Sequence, residues 1–325
     1  MDDERLRRLQ EFKLAANAFS SYPGFAGSGI VTCASPKYLA YLWIQVKSLR
    51  HFGCALPIKV WQLPDEVDSR MIAQFAGLNV AFRVAKELHY DRRLQKSPPY
   101  QIKPYAILHS RFEDVLFLDA DNSATRDPSF LFDLPEYHRD GALFWPDCNT
   151  LSADLGCGQL WRDFGLSYDE SFEFETGQIA INKKRHWAAL NATMFLNDNW
   201  NFYYRFMHGD KDTFRLAFDF LRSPYFVIPH RPAEIRFHQN RFRALLQSGP
   251  DGGPLFTHQA GALHKWRRNS FLVNDHYLPG LPLELAREWF GELILRHPVA
   301  FAGECVRTLP RRAAFDIRQL IWGSR

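Results

Sequence analysis

Apolar runs of strand length alternate with amphipathic stretches of helix length over most of the chain, and turn-forming residues separate them. Strands that alternate with helices are typical of βαβ units, so the pattern predicts an α/β fold with a mostly parallel central sheet flanked by helices. The predicted strands are 30–34, 57–62, 80–84, 115–118, 141–145, 172–182, 226–228 and 255–257. The predicted helices are 36–52, 65–76, 103–112, 127–132, 184–195, 212–221 and 282–295.

The two ends of the chain differ from this middle part. Before the first strand, an apolar stripe lies among charged residues and predicts a short amphipathic helix. We therefore expect an N-terminal helical arm over 1–29, an α/β domain over 30–266 and a helical C-terminal extension over 267–325, packed on the domain or tethered to it. The apolar stripe of the arm consists of Leu6, Leu9, Phe12 and Leu14.

Composition narrows the possible functions. With 46% hydrophobic residues, 325 residues are enough for one large domain with a substantial core. A net charge of +4 from 40 basic and 36 acidic residues is too balanced for nucleic-acid binding, although the small positive excess suits nucleotide diphosphates. Five cysteines without paired spacing predict neither a disulfide framework nor a zinc site. No signal peptide or membrane span is predicted, so we expect a cytoplasmic protein, soluble or peripheral to a membrane.

One predicted strand carries the most informative chemistry. Val115–Leu118 is a continuous apolar run, typical of a strand that is buried on both faces, and Asp119 and Asp121 follow it directly. Ligands of open α/β sheets bind at the carboxyl ends of the strands, and two carboxylates one residue apart suit Mg²⁺ or Mn²⁺. A polar turn that only caps the strand is the alternative interpretation.

Several stretches, taken in chain order, resemble sugar-nucleotide glycosyltransferases of the GT-A type. The likeness covers roughly residues 30 to 266, and the ordered series is far more specific than any one motif. The series resembles most the fungal α-1,3-mannosyltransferase family, glycosyltransferase family 71. The stretches that carry this likeness are Lys103–Leu108, Glu113–Asn122, Arg126–Pro128, Leu131-Phe132, Gly141–Asp147, Glu175–Gln178 and Gly209–Phe214.

Other stretches resemble the glycogenin-type family, glycosyltransferase family 8. The closing motif of that family usually ends Lys-Pro-Trp, whereas this chain has His264-Lys265-Trp266, without the proline. This departure leaves open which cation would clamp the donor diphosphate, Lys265 or His264. The glycogenin-type stretches are Val31-Thr32 with Ser35 and Tyr38, Ser48–Arg50, and His258-x-x-Gly261 with Trp266.

The resemblance implies a metal-dependent, retaining glycosyltransferase that moves mannose from GDP-mannose in α-linkage. It implies Mn²⁺ or Mg²⁺ held by Asp119, Asp121 and His258, with Asp119 alternatively holding the donor ribose. The resemblance also places five further residues at the nucleotide-sugar donor. Ser35 and Tyr38 would hold the base, and Lys103, Gly261 and Lys265 would lie near the diphosphate.

The same resemblance supplies candidates for the chemistry at the sugar. Retention requires a carboxylate nucleophile on the far face of the sugar or a same-face attack steered by the leaving phosphate. Glu175 or Gln178 would line that far face, and Asp210 would bind sugar hydroxyls or the acceptor. Asp212 is a further candidate, with helix N-capping as its structural alternative.

Other functions are compatible with the same residues. The donor could be a UDP-hexose, or the chain could bind sugar nucleotides without turnover. The acceptor would be a glycan, another hydroxyl compound or a lipid-linked sugar. A basic, aromatic end with Arg311, Arg312 and Arg318 could make weak contact with an anionic membrane, although a solvated terminal helix packed on the domain is the favoured interpretation.

Overall fold

The computed structural model describes residues 2–19, 21–67, 69–88, 99–148, 155–237 and 242–258. Nine α-helices and eleven strands lie within these ranges. The helices are α1 Asp3–Asn17, α2 Leu39–His51, α3 Ser69–Ala73, α4 Ile102–His109, α5 Pro135–Asp140, α6 Cys157–Asp163, α7 Trp187–Asp198, α8 Trp200–Tyr203 and α9 Asp210–Phe220. Three 3₁₀ turns, Pro36–Tyr38, Pro99–Gln101 and Ser129–Asp133, connect them.

The central sheet has seven strands in the order β3-β2-β1-β4-β7-β6-β8. Strands β1 to β4 pair in parallel, as predicted, while β7 runs antiparallel to both of its neighbours. The sheet is therefore mostly parallel, with one reversed strand beside β4. Its strands are β1 Ser28–Cys33, β2 Ile58–Gln62, β3 Val80–Val84, β4 Asp114–Leu118, β6 Ala142–Pro146, β7 Phe174–Asn182 and β8 Phe226–Val227.

Both faces of this sheet are covered, which explains the continuous apolar run in β4. Side chains of a strand alternate between the two faces. Leu116 and Leu118 pack into one hydrophobic cluster with α2, and Val115 and Phe117 pack into another with α4. All four side chains are fully buried. The carboxyl end of β4 is thus rigidly held between two packed layers.

A second sheet, which the hydrophobic pattern did not predict as such, lies beyond that end of β4. Its four strands run in the order β5-β11-β10-β9, and all of its pairs are antiparallel. Only β11 corresponds to a predicted strand; the other three were missed. Its strands are β5 Asn122–Ala124, β9 Ala233–Phe237, β10 Phe242–Ser248 and β11 Pro254–His258.

The predicted amphipathic helix of the N-terminal arm is confirmed as α1, and it packs on the α/β domain. Leu9 and Phe12 are buried in a third hydrophobic cluster together with Trp161 of α6. Leu6 and Leu14, also assigned to the apolar stripe, are 42% and 72% exposed. The buried stripe is therefore narrower than predicted, and the helix belongs to the folded core rather than standing apart.

Three helix predictions need correction. The helix expected over 127–132 is the 3₁₀ turn Ser129–Asp133. The helix expected over 65–76 is reduced to α3, because Asp65 adopts a left-handed φ of 58° and the residues after Ala73 close i to i−3 hydrogen bonds, the tighter 3₁₀ pattern. The helix expected from 184 begins only at Trp187. The Asn182 side-chain carbonyl accepts the Arg185 N–H at 3.0 Å, which forms a turn before the helix can begin.

Some predictions fall outside the described ranges. These are the closing motif from Gly261 to Trp266, the helix at 282–295 and the basic end with Arg311, Arg312 and Arg318. Among the residues that the structure describes, every helix is too short or too polar to span a lipid bilayer.

Candidate metal centre and active site

Strand pairing brings together residues that are far apart in sequence. After Asp119 and Asp121, the chain enters β5, whose first residue, Asn122, lies opposite His258 of β11. Antiparallel pairing therefore places the His258 imidazole beside the two carboxylates at the end of β4. The three predicted metal ligands, Asp119, Asp121 and His258, thus lie next to one another.

The trio forms a compact group of potential metal ligands. One ligand atom from each of Asp119, Asp121 and His258 lies within 4.8 Å of the others. His258 Nε2 is 3.3 Å from Asp121 Oδ1 and 3.9 Å from Asp119 Oδ2. Asp121 and His258 are buried, whereas the Asp119 side chain is 30% exposed. Two carboxylate oxygens and one imidazole nitrogen form a donor set suited to Mn²⁺.

Glu175 lies behind the histidine ring. Its Oε1 atom is 3.4 Å from His258 Nδ1 and accepts a 2.7 Å hydrogen bond from the Gly177 N–H. Burial would raise the pKa of Glu175, but His258, Lys103 and the Gly177 amide together lower it to about 2. Burial would lower the pKa of His258, but Glu175 and Asp121 raise it well above its ordinary value. The two flanking carboxylates therefore favour the protonated form of the imidazole.

Lys103 connects this centre to a second carboxylate. Its ammonium lies 3.3 Å from Asp119 Oδ2 and 2.9 Å from Asp210 Oδ2, and it donates to the backbone and side-chain oxygens of Thr176 at 2.8 and 3.1 Å. Burial opposes the charge, yet Asp119 and Asp210 raise the pKa of Lys103 above its ordinary value. Lys103 is therefore an internal counter-ion, and its donors are already engaged by protein oxygens.

The electrostatic balance of the centre is negative. Four carboxylates, from Asp119, Asp121, Glu175 and Asp210, surround the two basic groups of Lys103 and His258. Burial raises the pKa of Asp119 to about 6, although Lys103 and His258 favour its charged form. Such a site attracts a divalent cation.

Two predicted sugar-facing residues are fully buried. Gln178 has no exposed surface, and its side-chain carbonyl accepts a 2.6 Å hydrogen bond from Asn122. It supports the β4–β5 turn, so a direct position on the sugar face does not fit this conformation. Asp212 is likewise buried, and it is not the N-cap, which is Gly209. Asp212 lies in the first turn of α9, and its carboxylate accepts a 2.9 Å hydrogen bond from the His208 N–H.

The residues predicted to hold the nucleotide lie beyond the carboxyl end of β1. The Ser35 hydroxyl is buried and has no hydrogen-bond partner among the described residues. Tyr38 is partly buried against the core, and its ring centroid is 5.8 Å from that of Tyr41. Desolvation and then the carboxylates of Asp121 and Asp119 raise the pKa of Tyr38. Gly261 and Lys265 lie outside the described ranges.

Three contributing residues had no role assigned from the sequence. Thr176 joins Lys103 to Asp210, because its hydroxyl lies 3.1 Å from both. Asn122 donates to Gly177 O and to Gln178. Lys211 forms buried ion pairs with Asp147 and Glu173 at 2.6 and 2.5 Å. All three lie within or beside the motifs that carry the family resemblance, and that position was the available signal.

The family comparison agrees with this geometry. The Mannosyl_trans3 model, which describes mannosyltransferases, matches residues 27–174 and 164–248, about two thirds of the chain and all of the described centre except His258. The expected mannosyltransferase relationship is thereby confirmed.

Curated relatives share part of their length with this chain. The α-1,2-mannosyltransferase MNN5 of Saccharomyces cerevisiae is 26% identical over 268 residues, which cover 63% of this chain and 45% of the relative. The α-1,2-mannosyltransferase MNN24 of Candida albicans is 27% identical over 257 residues, covering 65% and 35%. The chain thus spans less than half the length of these relatives. Their names specify α-1,2 linkage, so the finer likeness to α-1,3 enzymes is not confirmed.

Solved structures identify the fold. The galactosyltransferase LgtC, crystallised with donor and acceptor sugar analogues, superimposes with a TM-score of 0.50 at 16% identity. The match covers 82% of this chain and 96% of LgtC. At this identity the likeness concerns the fold alone, and it agrees with the GT-A architecture predicted from the sequence.

Proposed function

Because the chain belongs to the Mannosyl_trans3 family of mannosyltransferases, we propose that it transfers mannose from GDP-mannose, in α-linkage and with retention, to a hydroxyl of a glycan. We further propose that the reaction depends on Mn²⁺ or Mg²⁺ held by Asp119, Asp121 and His258. The observation that carries the proposal is the convergence of these three ligand atoms within 4.8 Å at the carboxyl end of β4.

The transfer breaks the bond between the anomeric carbon and the terminal phosphate oxygen of the donor, and it forms a bond from that carbon to the acceptor oxygen. The proton of the acceptor hydroxyl passes to the departing phosphate. Negative charge accumulates on the departing diphosphate. The carboxylates of Asp119 and Asp121 and the neutral form of His258 would hold a divalent ion, which would supply Lewis-acid stabilisation of that charge. Glu175 orients the imidazole so that Nε2 faces the carboxylates.

The sugar side of the site is assigned to Asp210. Its carboxylate is 10% exposed, is fixed by Lys103 and Thr176, and can accept hydrogen bonds from sugar hydroxyls. Lys103 keeps Asp119 and Asp210 charged and in position for their ligands, which is a positioning role rather than the direct phosphate contact first expected. Glu175 acts through His258 in this scheme, and a direct attack by Glu175 on the sugar is the competing assignment.

The donor and linkage are proposed from different observations. The names of the curated relatives favour α-1,2 linkage to mannose. We assign Ser35 and Tyr38 to the base, and the buried Ser35 hydroxyl, which has no hydrogen-bond partner among the described residues, supports this assignment. A UDP-hexose remains the alternative donor, because both base types can stack on Tyr38.

The test is a transfer assay with purified full-length protein, a panel of GDP- and UDP-sugars, and methyl α-D-mannopyranoside and α-1,2-mannobiose as acceptors. We expect Mn²⁺-dependent formation of an α-linked product from GDP-mannose, abolished by EDTA and restored by added Mn²⁺. Asp251→Asn, which alters an exposed ion pair with Arg126 in the turn between β10 and β11, is the matched control and should retain full activity. The absence of both transfer and hydrolysis with every donor of the panel would overturn the proposal.

A sugar-nucleotide-binding protein without turnover is the second candidate. Calorimetry with GDP-mannose in the presence and absence of Mn²⁺ detects binding, and the transfer assay on the same preparation detects turnover. Binding without turnover would establish the second candidate. Three expectations remain predictions: the cytoplasmic location, a lipid-linked acceptor, and membrane contact through the basic end.

A further inference from the structure

One aromatic side chain is exposed beside the acidic centre. Among the described residues, the large hydrophobic side chains with substantial exposure are four aliphatic ones and Tyr100, which is 47% exposed. Isolated exposed aliphatic residues are ordinary on protein surfaces. An exposed aromatic ring next to a ligand site is more informative, since it offers a flat apolar face to a ligand. The aliphatic residues are Leu6, Leu14, Val84 and Leu155.

The position of Tyr100 is fixed from two sides. It lies in the 3₁₀ turn before α4, and the neighbouring Gln101 donates a 2.8 Å hydrogen bond to Asn197 O of α7. One edge of the ring approaches Gly209 so closely that a Cβ there would lie 3.4 Å from it. The Tyr204 ring lies 6.3 Å away. A ring held in this way loses little entropy when a ligand stacks on it.

Two neighbouring residues link Tyr100 to the chemistry. Gly209, with a φ of 91°, is followed directly by Asp210, and Lys103 lies three residues after Tyr100. Asp210 and Lys103 form the 2.9 Å ion pair described above. Desolvation and then the Asp210 carboxylate raise the pKa of Tyr100.

We propose that Tyr100 is the platform on which the hexose ring of the acceptor stacks, and that it determines acceptor preference; the inference rests on the proposed transferase function. The C–H groups of a pyranose form an apolar face that suits an aromatic ring, while its hydroxyls can reach the nearby Asp210. The donor is positioned through its diphosphate at the metal and through Tyr38. Tyr100 keeps nearly half of its surface open, which suits a sugar that arrives from solvent.

The kinetic test compares wild type, Tyr100→Ala and Tyr100→Phe at varied methyl α-D-mannopyranoside with saturating GDP-mannose, and then at varied donor. We expect Tyr100→Ala to raise the acceptor KM about tenfold, the size of a typical aromatic contact. The donor KM should not change. Tyr100→Phe keeps the ring and should rescue the acceptor KM to within about twofold. A raised donor KM with an unchanged acceptor KM would overturn the proposal, as would equal losses in both variants.

A binding measurement separates this inference from the proposed function. Saturation-transfer NMR with methyl α-D-mannopyranoside, in the presence of GDP and Mg²⁺, should give a strong signal for wild type and for Leu14→Ala, an exposed control on α1. The signal should be weak for Tyr100→Ala, whose thermal midpoint is measured in parallel to verify folding. Loss of the signal in Tyr100→Ala without turnover in wild type would support the platform while rejecting the transferase. Turnover in wild type with an undiminished Tyr100→Ala signal would reject the platform alone.

Discussion

His258 and Glu175 form a pair in which the carboxylate lies 3.4 Å behind Nδ1, while Nε2 of the same ring faces Asp121 at 3.3 Å. A carboxylate behind a metal-binding histidine fixes the ring orientation and raises its basicity as a ligand. The pair lies across β7 and β11, strands of different sheets, so the metal centre depends on how the two sheets meet.

Glu175→Gln tests the role of this pair. Loss of the orienting carboxylate should weaken Mn²⁺ binding by about 10- to 100-fold with the fold intact. Titration calorimetry with Mn²⁺ in the presence of GDP measures the change, and Asp251→Asn serves as the control. A large loss of kcat with unchanged Mn²⁺ affinity would contradict the assignment and would place Glu175 at the sugar instead.

Lys103→Met tests the internal counter-ion. The substitution leaves Asp119 and Asp210 without their shared cation, and removing one partner of a buried ion pair typically costs about 3–5 kcal/mol. We expect a lower free energy of unfolding in metal-free buffer and a partial recovery with Mn²⁺, because the metal ion supplies the missing positive charge at Asp119. Urea denaturation with and without Mn²⁺ measures both effects. Equal stability of variant and wild type would show that Lys103 is dispensable to the carboxylates.

His186 predicts a pH dependence that is independent of the active site. The ring is buried, Nε2 lies 2.9 Å from Asp140 O, and Nδ1 lies 2.8 Å from the Ser223 hydroxyl. Burial lowers the pKa of His186 from 6.5 to about 4. Because the unfolded chain binds the proton first, the stability contributed by the neutral ring is present above about pH 6.5 and is lost as the pH falls toward 4, at about 1.4 kcal/mol per pH unit.

The check on that prediction is the slope of unfolding free energy against pH between 4 and 6.5. His186→Gln should have a shallower slope than wild type, whereas His51→Gln, at an exposed position on α2, should keep the wild-type slope. Parallel slopes for all three proteins would mean that His186 is protonated in the folded state.

The apolar pattern was sufficient to predict the parallel half of the central sheet and the position of the two aspartates at the end of β4. Val115–Leu118 alternates between two packed layers, and such a run has few alternatives in an α/β chain. The second sheet was not predictable in the same way, because β5 is Asn122–Ala124, a short strand with two polar residues that follows the aspartates without a break.

The contacts of buried charged residues could not be predicted from the hydrophobic pattern either. A lysine at the start of a helix is ordinarily a surface residue, and the acceptors of Lys103 come from three separate segments. The hydrophobic pattern of each segment contains no information about that convergence. The family motifs pointed to the region where these side chains converge, yet they did not separate buried supports such as Gln178 and Asp212 from the proposed metal ligands.

The most direct test of the central claim is Mn²⁺ binding by wild type and by Asp121→Asn, measured by titration calorimetry in the presence of GDP. The substitution keeps the size of the side chain and removes one carboxylate from the trio at the end of β4. We expect wild type to bind about one Mn²⁺ per chain and Asp121→Asn to lose that binding together with sugar transfer. Unchanged Mn²⁺ affinity in the variant would contradict the assignment of the metal centre to Asp119, Asp121 and His258.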